Sequence, residues 1–538
     1  MRFAKKSAFL SLVALTALAA CGAEPQVQPV DPTKKETTPP VAEAKPAPPP
    51  VDLLGPKPEL PPSRPFTPPA VETFTTKNGL SVWLVEKHGL PLVSAVLVMR
   101  GGSSADPANL PGLMHITTDM LDEGAGKRSA VEVSSGINDL GATLALGTSA
   151  DASVLSLTVL KNNFNAAFGI FSDVVARPHF DAKEWKRVSE LWQNNLKKRS
   201  DEPMSVSRVI NAAVLFGPET PYGHPADGLL EAAAKVDLPT VKRFYKESFR
   251  PDRAVLVVAG DISRKEVTDI VDAQLGTWKA PPAKAAPKQA EFPGPRAASA
   301  RPKLVLVDRP GAPQSVIAVV RDGVAASDPL LPRLELINTA LGGSFTSRLN
   351  MNLREEHHWA YGAGSTFQES RNKGGFWAIA SVETPATGVA LKEMLSELSK
   401  MAASGPTAEE LEKAKAQDRA DLMQTYETVS GTARRLATLA RLGLPPGHDS
   451  EATRARQSAT LAEVTALAKT HVDPTSATVI VVGPREAVGP QLATLGLGEP
   501  ESWDPEGKPA NAAAKPEAKP ADKPAAKPAD KPGAKKGK

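Results

Sequence analysis

One stretch of this sequence occurs twice. Residues 251–263 read PDRAVLVVAGDIS and residues 473–486 read DPTSATVIVVGPRE. In both, a Pro/Asp turn leads into an unbroken apolar strand that closes at a glycine. The elements before each copy follow in the same order, at a period of roughly 220 residues. Two related domains are therefore expected rather than one large one.

The first copy opens with an alternating strand at 80–87, then a second strand at 91–99. Gly101-Gly102-Ser103-Ser104 forms a loop before a helix predicted over 112–123. A strand at 154–160, helices at 164–176, 181–199 and 239–248, and the strand 254–259 complete it. Asp201-Glu202-Pro203 reads as a breaker. The second copy has strands at 303–307, 314–320, 376–382 and 477–482, with helices at 331–341 and 388–401. Alternating strands mixed with amphipathic helices predict α+β layers in each. The domains are placed at 71–278 and 303–507. The connector 279–302, rich in Pro, Ala and Lys, reads as a flexible linker.

The flanks have a different composition. Residues 1–20 carry Arg2, Lys5 and Lys6 before an apolar run, the pattern of an export signal too short to span a bilayer. Leu18-Ala19-Ala20-Cys21 resembles a bacterial lipobox, so Cys21 is the expected lipidation site. It is the only cysteine of the 538 residues, which excludes an internal disulfide framework and a thiolate metal cluster. Residues 21–70 form a Pro-rich linker, with 16 prolines between 24 and 70, suited to extended polyproline II. The segment 508–538 repeats Lys, Pro and Ala and carries +6, from nine lysines against Glu517, Asp522 and Asp530. The whole chain is only +4; once the three leader cations are also set aside, residues 22–507 carry −5. The folded part has no basic excess for nucleic acid, and no nucleic-acid partner is expected. The expected location is a membrane-anchored lipoprotein, in the outer membrane and facing the periplasm.

Several segments resemble the M16 (insulinase/pitrilysin-like) zinc metallopeptidase family. They are GLMHITTDMLDEG at 112–124, Pro221-Tyr222-Gly223, FRPDRAVLVVAGDI at 249–262, LGGSFTSR at 341–348, LREEHHWAY at 353–361 and WDPEG at 503–507. The resemblance implies two homologous domains in tandem, of the mitochondrial processing peptidase type, in a clam-shell arrangement around unfolded peptide.

The family's catalytic motif is His-x-x-Glu-His on a helix, and here the matching residues are His115-Ile116-Thr117-Thr118-Asp119. Thr118 stands where the general base would be, and a hydroxyl cannot hold a proton taken from metal-bound water. Asp119 stands where the second histidine would be. A carboxylate can still ligate zinc. The third family ligand, a glutamate, falls by count near Asn194 or Asn195, with Glu184 and Glu190 out of register. On a helix through 112–123, His115, Asp119 and Asp122 share one face, and with Glu190 they make a weak candidate metal set. No catalytic residue is assigned, and His115, Thr118 and Asp119 stand as degenerate motif positions. In the second domain the resemblance implies that Arg354 and Tyr361 contact bound peptide. Gly342-Gly343-Ser344 permits a tight turn or a close backbone approach, and His357-His358 reads as a solvated face. The strands 154–160 and 376–382 are candidates to accept an extended peptide by backbone pairing.

The expected function is a catalytically incomplete subunit. It binds unfolded peptide and lends Arg354 and Tyr361 to a zinc-bearing family partner, with no cofactor on this chain and zinc on the partner. Two other readings stand beside it. One is an active zinc endopeptidase with an atypical His/Asp site, holding zinc on this chain; the other is a non-enzymatic peptide-binding envelope lipoprotein.

Overall fold

The computed structural model describes residues 66–280, 292 and 294–510. The expected leader, Cys21, most of the Pro-rich linker, half of the connector and nearly all of the tail lie outside the described residues.

Two six-stranded sheets carry the architecture. The first is built from β1 (Glu72–Thr75), β2 (Ser81–Glu86), β3 (Leu92–Arg100), β4 (Thr143–Thr148), β5 (Ala152–Leu160) and β6 (Ala254–Gly260). Its order is β1-β2-β6-β3-β5-β4. The second uses β7 (Leu304–Asp308), β8 (Gln314–Asp322), β9 (Ala360–Phe367), β10 (Gly375–Glu383), β11 (Thr478–Gly483) and β12 (Glu501–Ser502), in the order β12-β7-β11-β8-β10-β9. Strand for strand, β2, β6, β3, β5 and β4 correspond to β7, β11, β8, β10 and β9. The pairing senses agree as well: β2 runs parallel to β6 and β7 to β11, and the other pairs of the two sets are antiparallel. The repeat read in the sequence is thus a repeated α+β fold.

The central strands are apolar throughout because both faces are buried. In β3, Val93, Ala95, Leu97 and Met99 face the helices of their own half. Val96 and Val98 face the other way, into a core shared with Ala433, Leu436, Ala437 and Ala440. Those four belong to the second half's helix Val429–Leu442, which packs across β3 and β6. The arrangement is reciprocal. Helix Pro203–Phe216 of the first half lays Val206, Ile210, Ala213 and Val214 against Val316, Ala318, Ile480 and Val482 of the second sheet. Pro203, read as a breaker, sits at the first turn of this helix, where its missing N–H costs nothing.

A polar node also ties the halves. Asp151 is buried. Its carboxylate accepts the Tyr222 hydroxyl at 2.6 Å and the Arg371 backbone N–H at 3.1 Å.

Strands 154–160 and 376–382 were expected as peptide-accepting edges, and the structure corrects this. They lie within β5 and β10, each paired on both sides. The edges beside them belong to β4 and β9. Sequence periodicity reports which face is buried, not which strand is outermost.

Candidate functional site

The helix carrying His115 runs only from Leu113 to Asp119. Its start is held by Asp106, whose carboxylate accepts the N–H groups of Gly112 and Met114, each at 2.7 Å. Burial pushes this carboxyl up to about 8, against the pull of those backbone donors. Gly112 precedes the helix at φ 98°, and a Cβ there would lie 2.8 Å from the Asp227 carbonyl oxygen and from the Trp192 ring. Only glycine fits.

Leu113, Met114, Ile116, Thr117 and Thr118 are buried, while His115 and Asp119 lie on the half-exposed side. His115 Nε2 is 3.3 Å from Asp119 Oδ2. Burial raises the Asp119 carboxyl; His115 opposes this, and the nearby charges of Glu123 and Asp227 reinforce it.

Thr118 is wholly buried. Its hydroxyl lies 2.8 Å from the Met114 carbonyl oxygen, 3.0 Å from Ser153 Oγ and 3.1 Å from Thr148 Oγ1. Thr148 and Ser153 are themselves 3.0 Å apart. Where a base would have to face a water, three hydroxyls close on one another.

The candidate metal set does not assemble. Asp122 is beyond the helix end, so it does not share a helical face with His115 and Asp119 as expected. Its carboxyl is raised to about 6, first by burial and then by Glu123. On helix Ala182–Arg199 the buried stripe is Val188, Trp192 and Leu196. Glu190, Asn194 and Asn195 are exposed, and Glu184 is held by Arg187 at 3.0 Å. The side chain this helix brings toward His115 is Trp192, with ring centroids 6.4 Å apart. The Trp192 indole N–H is spent on the Asp227 carbonyl at 2.8 Å. Among the described residues, no three His, Cys, Asp or Glu side chains converge to hold a metal ion. A His/Asp pair facing an indole is not a zinc donor set, so the residues present do not fit the metal of the family they resemble.

In the second half, a Cβ on Gly342 would lie 2.3 Å from the Ser365 amide nitrogen, so this glycine allows the loop to press on β9. Arg348 is engaged bidentately by Glu410 at 2.7 and 2.6 Å. Arg354 stacks over Phe345, 4.5 Å from the ring centroid. Phe345 is 65 % exposed and Tyr361, on β9, is 87 % exposed. An exposed tyrosine, and a phenylalanine covered on one face by an arginine, thus stand beside the outermost strand β9, whose Ala363 N–H is taken by Asn350 at 3.2 Å. His357 stacks flat on Trp359 at 4.2 Å rather than standing free in solvent.

Sequence reading missed Asp106, Trp192, Thr148 and Ser153. The four-residue spacing of Val188, Trp192 and Leu196 carries the signal for Trp192. The hydroxyl triangle joins a helix to two strands and has no sequence-local signature.

These observations define an α+β protein of two tandem, equivalent domains whose would-be metal helix lacks its base. Residues 81–216 match the family model for insulinase (peptidase family M16), and residues 235–417 match that for the peptidase M16 inactive domain. An uncharacterized zinc protease YmxG of Bacillus subtilis is 24% identical over 365 residues, covering 67% of this chain and 85% of that protein. A Helicobacter pylori protein named non-peptidase homolog YmxG is 23% identical over 413 residues, covering 74% and 90%. The crystal structure of a peptidase M16 inactive domain from Pseudomonas fluorescens superposes with a TM-score of 0.70 at 24% identity, covering 77% of this chain and 98% of that one. The chain is a homologue of the M16, insulinase-like zinc proteases, with two M16-like domains in tandem and a degenerate metal site.

Proposed function

We propose that this protein is a catalytically incomplete M16-type subunit that holds unfolded peptide and completes the site of a zinc-bearing relative. The observation that carries this reading is Thr118. It occupies the general-base position, is sealed from solvent, and exchanges hydrogen bonds with Thr148 and Ser153. No proton from a hydrolytic water has anywhere to go there.

Peptide is held on the outer edge of β4. Among the described residues that edge is paired with no other strand, and it lies beside the His115 helix through the Thr148–Thr118 contact. An extended chain added there gains backbone hydrogen bonds regardless of its sequence. Tyr361, exposed on β9 of the second sheet, and Arg354, half-buried just before that strand, are the groups offered across to the partner's substrate. An arginine grips carbonyls or carboxylates with several donors, and a phenol can steady a developing oxyanion. The subunit works outside the cytoplasm, tethered through Cys21. The name of the Helicobacter pylori relative, a non-peptidase homolog, is in keeping with the lost chemistry.

The test is peptidase activity of the purified chain alone and mixed with a zinc-bearing M16 relative, each with and without chelator. The expected result is cleavage only in the mixture, stopped by chelator and lost in Arg354→Ala/Tyr361→Phe. Chelator-sensitive cleavage by this chain alone, abolished by a His115 substitution, overturns the proposal. Peptide capture is tested separately with a peptide N-methylated at alternate residues, which cannot donate to β4 and is expected to bind far more weakly than its unmodified twin.

A further inference from the structure

Between the first sheet and helix Val429–Leu442 lies a cavity of about 430 Å³. Its floor is the face of β3, β4 and β5 that carries Ser94, Ala145, Gly147, Ser156 and Thr158. Its wall is the helix, with Ser430, Arg434, Thr438 and Arg441. The cavity exists because side chains are small where the second sheet has large ones. Following the strand registers, Val154 and Ser156 of β5 correspond to Trp377 and Ile379 of β10, which pack against helix Pro203–Phe216. In the first sheet that space is open.

Among the described residues, no carboxylate lines this cavity. Arg441 is ion-paired with Asp151 at 3.9 Å, a carboxylate that also accepts the Tyr222 hydroxyl and the Arg371 amide. Among the described residues, no carboxylate stands within ion-pair distance of Arg434. Two guanidinium groups, Arg434 without a carboxylate partner and Arg441 sharing its charge with Asp151, therefore line a half-enclosed space floored by hydroxyls and small side chains. Such a space favours an anion and penalises a cation.

The cavity also borders the open strand. The face of β4 that carries Ala145 and Gly147 is its floor, and Leu144 and Leu146 point to the opposite, core side. A peptide strand added to β4 turns every second side chain to the Ala145/Gly147 face. Those side chains enter the space that Arg434 and Arg441 command. We infer that the peptide taken on β4 is read for acidic side chains at alternate positions, through Arg434 and Arg441. This rests on the edge-binding reading above and adds to it a class of substrate: extended segments with Asp or Glu two residues apart.

The test compares three labelled nine-residue peptides by fluorescence anisotropy. They are identical except for Glu, Ser or Lys at alternate positions. With the full chain, the Glu peptide is expected to bind about threefold to tenfold tighter than the Ser peptide, and the Lys peptide more weakly than either, with the differences collapsing in high salt. Arg434→Gln/Arg441→Gln is expected to erase the Glu-over-Ser preference. Because Arg441→Glu would set a second carboxylate beside buried Asp151, the inversion is read in Arg434→Glu, where the Lys peptide gains on the Glu peptide. Equal binding of Glu and Ser peptides, or a preference that survives the double variant, overturns the inference. If Ser-peptide binding is still lost on N-methylation in that case, edge binding stands and only the charge reading falls. Binding of no peptide overturns both.

Discussion

The hydroxyl of Thr148, on the edge strand β4, lies 3.1 Å from that of Thr118, on the short helix that would carry a general base. The degenerate motif position and the outermost strand of the first sheet are thus in direct contact.

Restoring the motif letter at this position is not expected to restore hydrolysis. Thr118→Glu pushes a carboxylate into a wholly buried hydroxyl cluster whose other partners are Ser153 and the Met114 carbonyl. An ionised group there, without a cation beside it, costs at least ~2 kcal/mol. Thr118→Glu/Asp119→His still lacks a third donor, because the facing helix presents Trp192. The expected outcome is a lower melting temperature, no stoichiometric zinc by elemental analysis and no peptidase activity for either variant. Zinc near one per chain in the double variant would contradict the account.

Tyr222 and Asp151 hold the halves together at a buried point. Asn372, from the second half, also donates to the Tyr222 hydroxyl at 2.8 Å. Burial, then the charge of Asp151, pushes the Tyr222 phenol far above its usual range. Tyr222→Phe removes the donor and leaves a buried carboxylate oxygen without it. A loss of about 1–3 kcal/mol is expected. Denaturant titration measures it, and Tyr222→Phe/Asp151→Asn is expected to cost less than the two single changes added together.

How much of this was legible depended on what each pattern encodes. Strands β3 and β6 could be read because both faces are buried, which leaves an unbroken apolar run. Strand β4, TLALGT, was invisible: Ala145 and Gly147 hardly contrast with Leu144 and Leu146, since the β4 face opposite the core borders a cavity and needs no bulk. The end of the His115 helix was overrun by four residues. Nothing in Met120-Leu121-Asp122-Glu123 forbids helix, and the break is set by tertiary packing before Gly124, at φ 99°. Glu190 was placed near the site by proximity in sequence, though the stripe at 188, 192 and 196 turns it to solvent. Amphipathicity can show that helix 429–442 buries a face; it cannot show that the face covers the other domain's sheet.

Asp122 predicts a pH dependence of stability. Its folded-state carboxyl sits at about 6, above the ordinary value of 3.8, because burial and Glu123 disfavour its charge. The native chain therefore holds a proton that the unfolded chain releases, and between about pH 4 and 6 this group's contribution to stability falls as pH rises. Asp106, raised to about 8, acts in the same sense over a wider range. The difference between wild type and Asp122→Asn isolates the first group. It is expected to be small at pH 4, to grow in favour of the variant up to about pH 6.5, and to stay level above that. A melting-temperature difference that is flat from pH 4 to 7 would remove the assigned shift.

The reciprocal helices predict that the two sheets do not unfold independently. Leu436 is fully buried, on a helix of the second half that covers β3 and β6 of the first. Leu436→Ala leaves a cavity against both and is expected to cost about 2–4 kcal/mol. Met423→Ala, at an exposed position, should cost about 0.5 kcal/mol or less. The stronger expectation concerns where the damage appears. Since Leu436 shares one core with Val96, Val98, Val255 and Val257, amide hydrogen exchange should quicken in β3 and β6 as well as around residues 429–442. If the two halves were merely tethered, exchange would quicken only in the second half and unfolding would show two transitions. A single transition, with β3 and β6 of the first half losing protection in a variant that lies on a helix of the second, is the result the packing requires.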